Sequence, residues 1–368
     1  MRRGTLSAGA ALLVSLIGCD GPAAPDASTG GDAGGRDAGS GADASGADAG
    51  RRDAGEVPPR GDRLFPDGAW FYQDVSSAAV HARSAQTTQW LEDQGGFGTG
   101  SFRIDFSIVV LEAAADTENR SFEPTGDFYD PDCDEVPVPV PAGGALEGED
   151  GYECASDGDC HLIVVDRRDD RLYEMWRANI VGGTFYGGCL AAWDMTRAYP
   201  PEGRGEQCTS ADAAGFPIAP LLLTPEEVAR AAAGEGEIDH AVRFILPNAS
   251  MRAGYYVRPA THAGGPSATA ADAPVYGTRW RLRADFDMST LPNDAARAVA
   301  RALQRYGMAL ADGGNIALTF ESDRFASTTW EAVGLDSRSL DVITPNDFEV
   351  IDTGPPIELT YDCVRTPY

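Results

Sequence analysis

The chain has 368 residues, with 57 acidic against 29 basic side chains and a formal net charge of -28 at pH 7. That balance excludes a generic nucleic-acid or anionic-lipid binder, because phosphate recognition rests on clustered Lys and Arg. The length leaves room for one large domain once short appended segments are set aside.

The first element is an export signal. Met1-Arg2-Arg3, an apolar stretch from Leu6 to Ile17 and the sequence Leu16-Ile17-Gly18-Cys19 supply a charged head, a short hydrophobic run and a small-residue site. The run is too short to cross a bilayer, which takes roughly 20 apolar residues. Leu-Ile-Gly-Cys resembles the bacterial lipobox, whose cysteine is acylated and becomes the first residue of the mature chain. The expectation is a signal over 1–18, lipid on Cys19 and a bacterial cell-envelope, extracytoplasmic address, with Asp20 leaving the choice of inner or outer membrane open. From Asp20 to Glu56 the most hydrophobic residue is Ala, and Asp-Ala-Gly or Asp-Ala-Ser recurs from Asp26 to Asp53. Such a segment cannot bury enough apolar surface to offset its ordering entropy. Residues 19–61 therefore read as a disordered tether with an r.m.s. reach of about 35 Å.

The globular part, 62–368, is rich in short β-prone runs. Phe102 to Leu111, His161 to Asp166, Leu172 to Trp176, Ala241 to Leu246, Tyr255 to Val257, Arg279 to Asp285, Ile316 to Phe320 and Phe348 to Asp352 each read as a strand. The charged stretch Arg167 to Arg171 turns two of them into a hairpin. Helices are fewer. Thr224-Pro225-Glu226-Glu227 offers an N-cap, a proline at the first helical position and acids in the first turn, and Gly234 ends that segment. A second helix starts near Pro292, gathers Ala295, Val299, Ala302, Leu303 and Tyr306 on one face, and stops near Gly313. The expected fold is mainly β, a single β-sandwich or jelly-roll-like domain with two or three packed helices.

Beyond Cys19 there are six cysteines: Cys133, Cys154, Cys160, Cys189, Cys208 and Cys363. An even number in an exported chain predicts disulfides. The favoured pairing is Cys154 with Cys160, Cys189 with Cys208 and Cys133 with Cys363, and the absence of a CxxC spacing argues against zinc. No GxSxG, HExxH, phosphate-binding Gly-rich loop or GxGxxG between strand and helix is present. Asp130, Asp132 and Asp134 are spaced like the start of a calcium loop, but Glu135 at the sixth position and Pro141 at the twelfth exclude an EF-hand. A looser calcium site stays open, and no other cofactor is expected.

Histidine is scarce. His161 opens the hairpin beside Asp159, and His262 closes a run where a strand gives way to a loop. If strand ends converge, His161 or His262 serves as base, Asp166 or Glu174 as orienter or acid, and Arg258 as clamp for a carboxylate, a set suited to cleaving an acidic polysaccharide by proton abstraction. The competing reading is structural, with the histidines bonded to backbone at sheet ends. Six tryptophans and twelve tyrosines could fill a core or, at one or two exposed positions, stack on sugar.

The series Trp70 to Ser76, Asp159 to Asp166, Leu172 to Glu174, Thr209 to Gly215, Ile238 to Phe244, Tyr256 to His262, Arg305 to Asp312 and Asp347 to Val350 resembles a family of uncharacterised secreted bacterial proteins, over roughly residues 63 to 352. That family shows Asp-Arg-His at Asp159-Cys160-His161, Trp-Pro-Ala at Arg258-Pro259-Ala260 and Asp-Asn-Gly at Asp312-Gly313-Gly314. The resemblance implies one exported domain and makes His161, His240 and His262 the better site candidates, without a substrate. His161 and His262 are carried forward as catalytic groups and His240, with Asp159 and Arg258, as ligand contacts. Three functions are carried forward: a membrane-anchored binder of extracellular or cell-wall polysaccharide, a carbohydrate-active enzyme of lyase or glycosidase type, and a structural surface protein. Oligomeric state is left open.

Overall fold

The computed structural model describes residues 63–366, so the export signal, Cys19 and the tether lie outside the described residues. Two sheets organise the chain. The larger is six-stranded, built from β1 (Ile104–Ile108), β6 (Val242–Leu246), β7 (Arg279–Leu282), β8 (Met308–Gly313), β9 (Leu318–Glu321) and β10 (Phe348–Val350), in the order β1-β9-β6-β8-β7-β10. The smaller is four-stranded, with β2 (Val110–Glu112), β3 (Leu162–Asp166), β4 (Arg171–Trp176) and β5 (Cys189–Asp194) in the order β5-β4-β3-β2. The pairing is mixed. β1 with β9, β6 with β8 and β2 with β3 run parallel, and the other neighbours run antiparallel. All described residues belong to one compact, mainly-β unit.

The run expected as one strand at Phe102 to Leu111 serves both sheets: β1 lies in the larger and β2, two residues on, in the smaller. The predicted hairpin forms, with Asp166 opposite Arg171 and Leu162 opposite Met175. Its first strand is apolar without alternation because both its faces are buried. Ile163 and Val165 join the main core with Val242 and Phe244, whereas Leu162 and Val164 join a smaller cluster with Leu111, Phe122 and Met175. Period-two geometry thus sends adjacent side chains into two cores.

Four helices accompany the sheets: α1 (Ser84–Asp93), α2 (Pro225–Ala233), α3 (Asp294–Arg305) and α4 (Trp330–Val333). α2 has the cap read from sequence, Thr224 Oγ1 accepting the Glu227 N–H at 3.2 Å, and it ends at Gly234 with φ 75°. α3 buries Ala295, Val299, Ala302 and Leu303 as expected, but stops at Arg305 rather than near Gly313. Gly307 is the reason. Its φ of 68° is left-handed, and a Cβ there would fall 2.5 Å from the Trp280 carbonyl, so the chain turns and Met308–Gly313 becomes a central strand. α1 was not expected from the sequence. It has no side-chain N-cap, and Leu91 is its only fully buried large residue, so it forms by packing on β10 rather than by its own pattern.

Three disulfides form: Cys154–Cys160 as expected, and Cys133–Cys189 and Cys208–Cys363 in place of the expected Cys189–Cys208 and Cys133–Cys363. Local strand contacts decide the exchange. The Asp134 N–H bonds the Leu190 carbonyl at 2.8 Å, laying the Cys133 segment beside β5, while Glu206 pairs with Val364 and brings Cys208 to the C-terminal segment.

Candidate functional site

Taken singly, most of the predicted site residues are already committed. His161 is 2% exposed, with Nδ1 2.6 Å from Glu147 Oε2 and Nε2 3.0 Å from the Ala211 carbonyl. Both partners are acceptors, so the ring holds two protons and donates from each nitrogen. Burial alone would depress its pKa, but the Glu147 carboxylate, Asp159 and the Ala211 carbonyl outweigh it and hold the pKa at about 9. His240 repeats the arrangement with the Ala241 carbonyl at 2.8 Å and Glu227 at 3.2 Å. His262 Nδ1 lies 3.0 Å from the Ala213 carbonyl and 3.1 Å from the Gly264 N–H, and burial lowers its pKa.

Asp166 and Glu174 do not join the histidines as acid or orienter. Asp166 stands at the opposite end of β3 from His161, about 16 Å of extended chain away, where the Arg168 fork grips it at 2.6 and 2.8 Å. Glu174 is wholly enclosed. Its oxygens accept from the Ile218 and Ala219 N–H groups at 2.7 and 2.8 Å and from Trp193 Nε1 at 2.9 Å, while burial pushes its pKa up to about 7 against those donors. Arg258 is not free to clamp a carboxylate from outside, because it pairs with Glu206. The calcium candidates also part company: Asp132 accepts the Thr209 N–H at 2.8 Å, and Asp134 is buried between Arg204 and Arg365. Among the described residues, two groups have metal-ligand spacing, Asp132 with Cys208 and Cys363, and Glu149 with Cys154 and Cys160. In both the cysteines are joined in a disulfide and offer no thiolate.

What the fold brings together is a different set, organised by the loop Ser210 to Gly215. Ala211 supplies the carbonyl on His161, Asp212 reaches Arg243, the Ala213 N–H bonds Asp312 Oδ2 at 3.3 Å and the Ala213 carbonyl meets His262. Gly215 allows the close turn: its φ is 82°, and a Cβ would sit 2.1 Å from Thr261 Oγ1. Arg243, on β6, is buried and donates to Thr319 Oγ1, Asp212 Oδ1 and Asp312 Oδ2, each at 3.1 Å. Asp212 is fully buried and its Oδ2 has no donor. Burial, then the adjacent Asp312 carboxyl, drives its pKa well above the usual range against the pull of Arg243. Burial likewise raises the Asp312 pKa, so both carboxyls bind a proton more readily than free ones do. Asp105 and Glu147 complete the group, both within reach of Ser107 Oγ at 3.0 and 3.3 Å.

The cluster opens on one rim. Asp312 has 22% of its side chain exposed, Asp159 is exposed and His262 is half-buried. Trp176, half-buried, donates from Nε1 to Asp159 at 2.9 Å at one end, and Tyr361, 68% exposed, meets the His262 ring edge-to-face at 5.6 Å at the other. Asp159 acts electrostatically on both His161 and Asp312, and Asp312 on His262. Arg177, next to Trp176, and Tyr361 hold left-handed backbone, φ 54° and 63°, a strain that gathers at functional surfaces.

Asp212, Arg243, Asp312, Glu147 and Tyr361 were not singled out in the sequence. One signal was there: Arg243 interrupts the otherwise apolar run Ala241 to Leu246, and a charge in a buried strand needs a charged partner. No family model, no curated protein and no solved structure matches this chain.

Proposed function

We propose that this chain is a lipid-anchored, extracytoplasmic bacterial lipoprotein whose mainly-β domain binds glycan along the rim from Trp176 to Tyr361. The observation that carries the reading is a line of partly exposed carboxylates, Asp159 and Asp312, bracketed by two aromatic rings. Carboxylates accept hydrogen bonds from sugar hydroxyls, and aromatic faces pack on the C–H faces of sugar rings. Three disulfides suit the oxidising compartment that the lipobox implies. The likeness to secreted bacterial proteins supports the same address, with extracellular or cell-wall polysaccharide as partner and the membrane engaged through Cys19. The finer architecture belongs to this reading too: the six- and four-stranded sheets form the two layers of a sandwich, supported by the core that Ile163 and Val165 share with Val242 and Phe244.

On a polysaccharide array the native chain is expected to retain a neutral or cell-wall glycan, and Trp176→Ala or Tyr361→Ala to weaken that binding about tenfold. Retention unchanged in both variants, or none on any glycan, sinks the reading. Mass spectrometry of the mature chain is expected to find acyl chains on Cys19, and an unmodified thiol there removes the anchor.

A second reading, a carbohydrate-active enzyme, rests on Asp312, a partly exposed carboxyl that shares Arg243 with Asp212 and whose pKa burial raises, as suits a general acid. Released reducing or unsaturated ends that vanish in Asp312→Asn would favour it over simple binding. Glycan retention without product would favour binding.

A further inference from the structure

A groove of about 570 Å3 opens between α2, α3 and the strands β7 and β10, and it shares no residue with the rim described above. We propose that it binds a small amphiphilic monocarboxylate, with the aliphatic body on the groove floor and the carboxylate on Arg301. The volume lies within the range of small-molecule clefts, roughly 300 to 1,000 Å3. The floor is hydrocarbon, supplied by Ala298 and Ala302 of α3, Leu282 of β7 and Ile238. No aromatic side chain lines it, so it lacks the stacking surface on which the glycan reading depends.

Charge selects the ligand. The lining carries Arg281, Arg301 and Arg305 against Glu237 and Glu349, a local excess of cation in a chain whose net charge is -28. Two of the three arginines are spoken for. Arg281 bonds the Ser76 and Ala78 carbonyls and pairs with Glu349 at 2.6 Å, and Arg305 pairs with Asp74 at 2.8 Å and with Glu237. Arg301, exposed on α3, makes no hydrogen bond or ion pair among the described residues. A guanidinium presents a planar fork that a carboxylate matches with two parallel hydrogen bonds, and the Gln304 amide on the same helix is already spent on the Arg283 carbonyl at 2.8 Å, so Arg301 is the cation left for an anionic head. An acid with one head and an apolar body fits both features.

Saturation-transfer NMR on the full chain, with octanoate and its uncharged counterpart octanol as probes, tests this. Octanoate is expected to bind, octanol to bind about tenfold more weakly, and Arg301→Ala to remove that preference while Arg301→Lys restores part of it. Ala284→Trp, at an exposed position lining the groove mouth, fills the groove without touching the core and is expected to abolish transfer. No transfer from octanoate at about 10 mM, equal binding of octanol, or binding that survives Ala284→Trp each overturns the proposal. Because neither Trp176 nor Tyr361 lines the groove, these outcomes leave the glycan reading untouched.

Discussion

Asp134→Ala is expected to destabilise the domain by about 3–5 kcal/mol, measured as the change in urea unfolding free energy at neutral pH. The carboxylate is fully buried and pairs with Arg204 through one oxygen and Arg365 through the other, and it accepts the Ala192 N–H at 2.9 Å. Both arginine side chains are themselves about 95% covered (4% and 5% exposed), so neither can turn to water when its partner is lost. Burial already lowers the Arg204 pKa, and Arg365 lowers it further by repulsion, while Asp134 opposes both. Alanine would leave two like charges close together in a low-dielectric space and one backbone donor unsatisfied. The cost belongs to the broken pairing, not to the charges as such. The triple variant Asp134→Leu, Arg204→Met, Arg365→Met is therefore expected to recover most of the loss. A single-variant cost below about 1 kcal/mol, the ordinary range for surface changes, would show that the three charges remain hydrated.

The Asp134 triad also shows which parts of this fold a sequence can disclose. Residues whose role depends on near neighbours were legible: the Thr224 cap, the hairpin around Arg167 to Arg171, the buried face of α3 and the short Cys154–Cys160 loop. Asp134 looked like a calcium ligand because its spacing from Asp130 and Asp132 is local, whereas its partners stand 70 and 231 residues away. The same limit applies at the candidate site. Asp159, His161 and His262 were picked out by scarcity and position, and the fold does place them around one cluster. Asp212, Arg243 and Asp312 lie inside the motif blocks that suggested a family likeness, yet nothing local relates them. They meet because the parallel pairing of β6 with β8 sets Arg243 near Asp312, and the Ser210 to Gly215 loop is pinned over both by the Ala214 N–H to Ala311 carbonyl bond. Asp166 and Glu174 failed as acids for a physical reason as well. Asp166 lies at the far end of the strand and is held by Arg168, and Glu174, though near the His161 end, spends its oxygens on Trp193 and the Ile218 and Ala219 N–H groups.

Between about pH 6.5 and 9 the domain should lose on the order of 3 kcal/mol of stability through His161 alone. The sign follows from the direction of the shift. In the unfolded chain the imidazole titrates at 6.5, and in the folded chain at about 9, so the folded state holds the proton more tightly. That contribution is complete below the unfolded value and is lost as pH rises through the folded one. Glu174, pushed up to about 7 by burial, adds a loss in the same direction, but between its unfolded 4.5 and 7, mostly below the window. Glu147 acts on the acid side: its folded pKa is depressed by His161, Arg243 and its hydrogen bonds despite the desolvation that opposes them, so its share is present above 4.5 and disappears as pH falls. Together these set a stability maximum on the mildly acid side of neutrality. The difference between parent and His161→Gln reports the histidine together with the carboxyls it holds down, Glu147 foremost and Glu174 and Asp312 more weakly. Unfolding free energies measured from pH 5 to 9.5 are expected to fall in the parent, while the variant, less stable at pH 6, runs nearly level above pH 7. Parallel profiles for the two proteins would mean that His161 is neutral when folded, and the doubly donating ring between Glu147 and the Ala211 carbonyl would have to be abandoned.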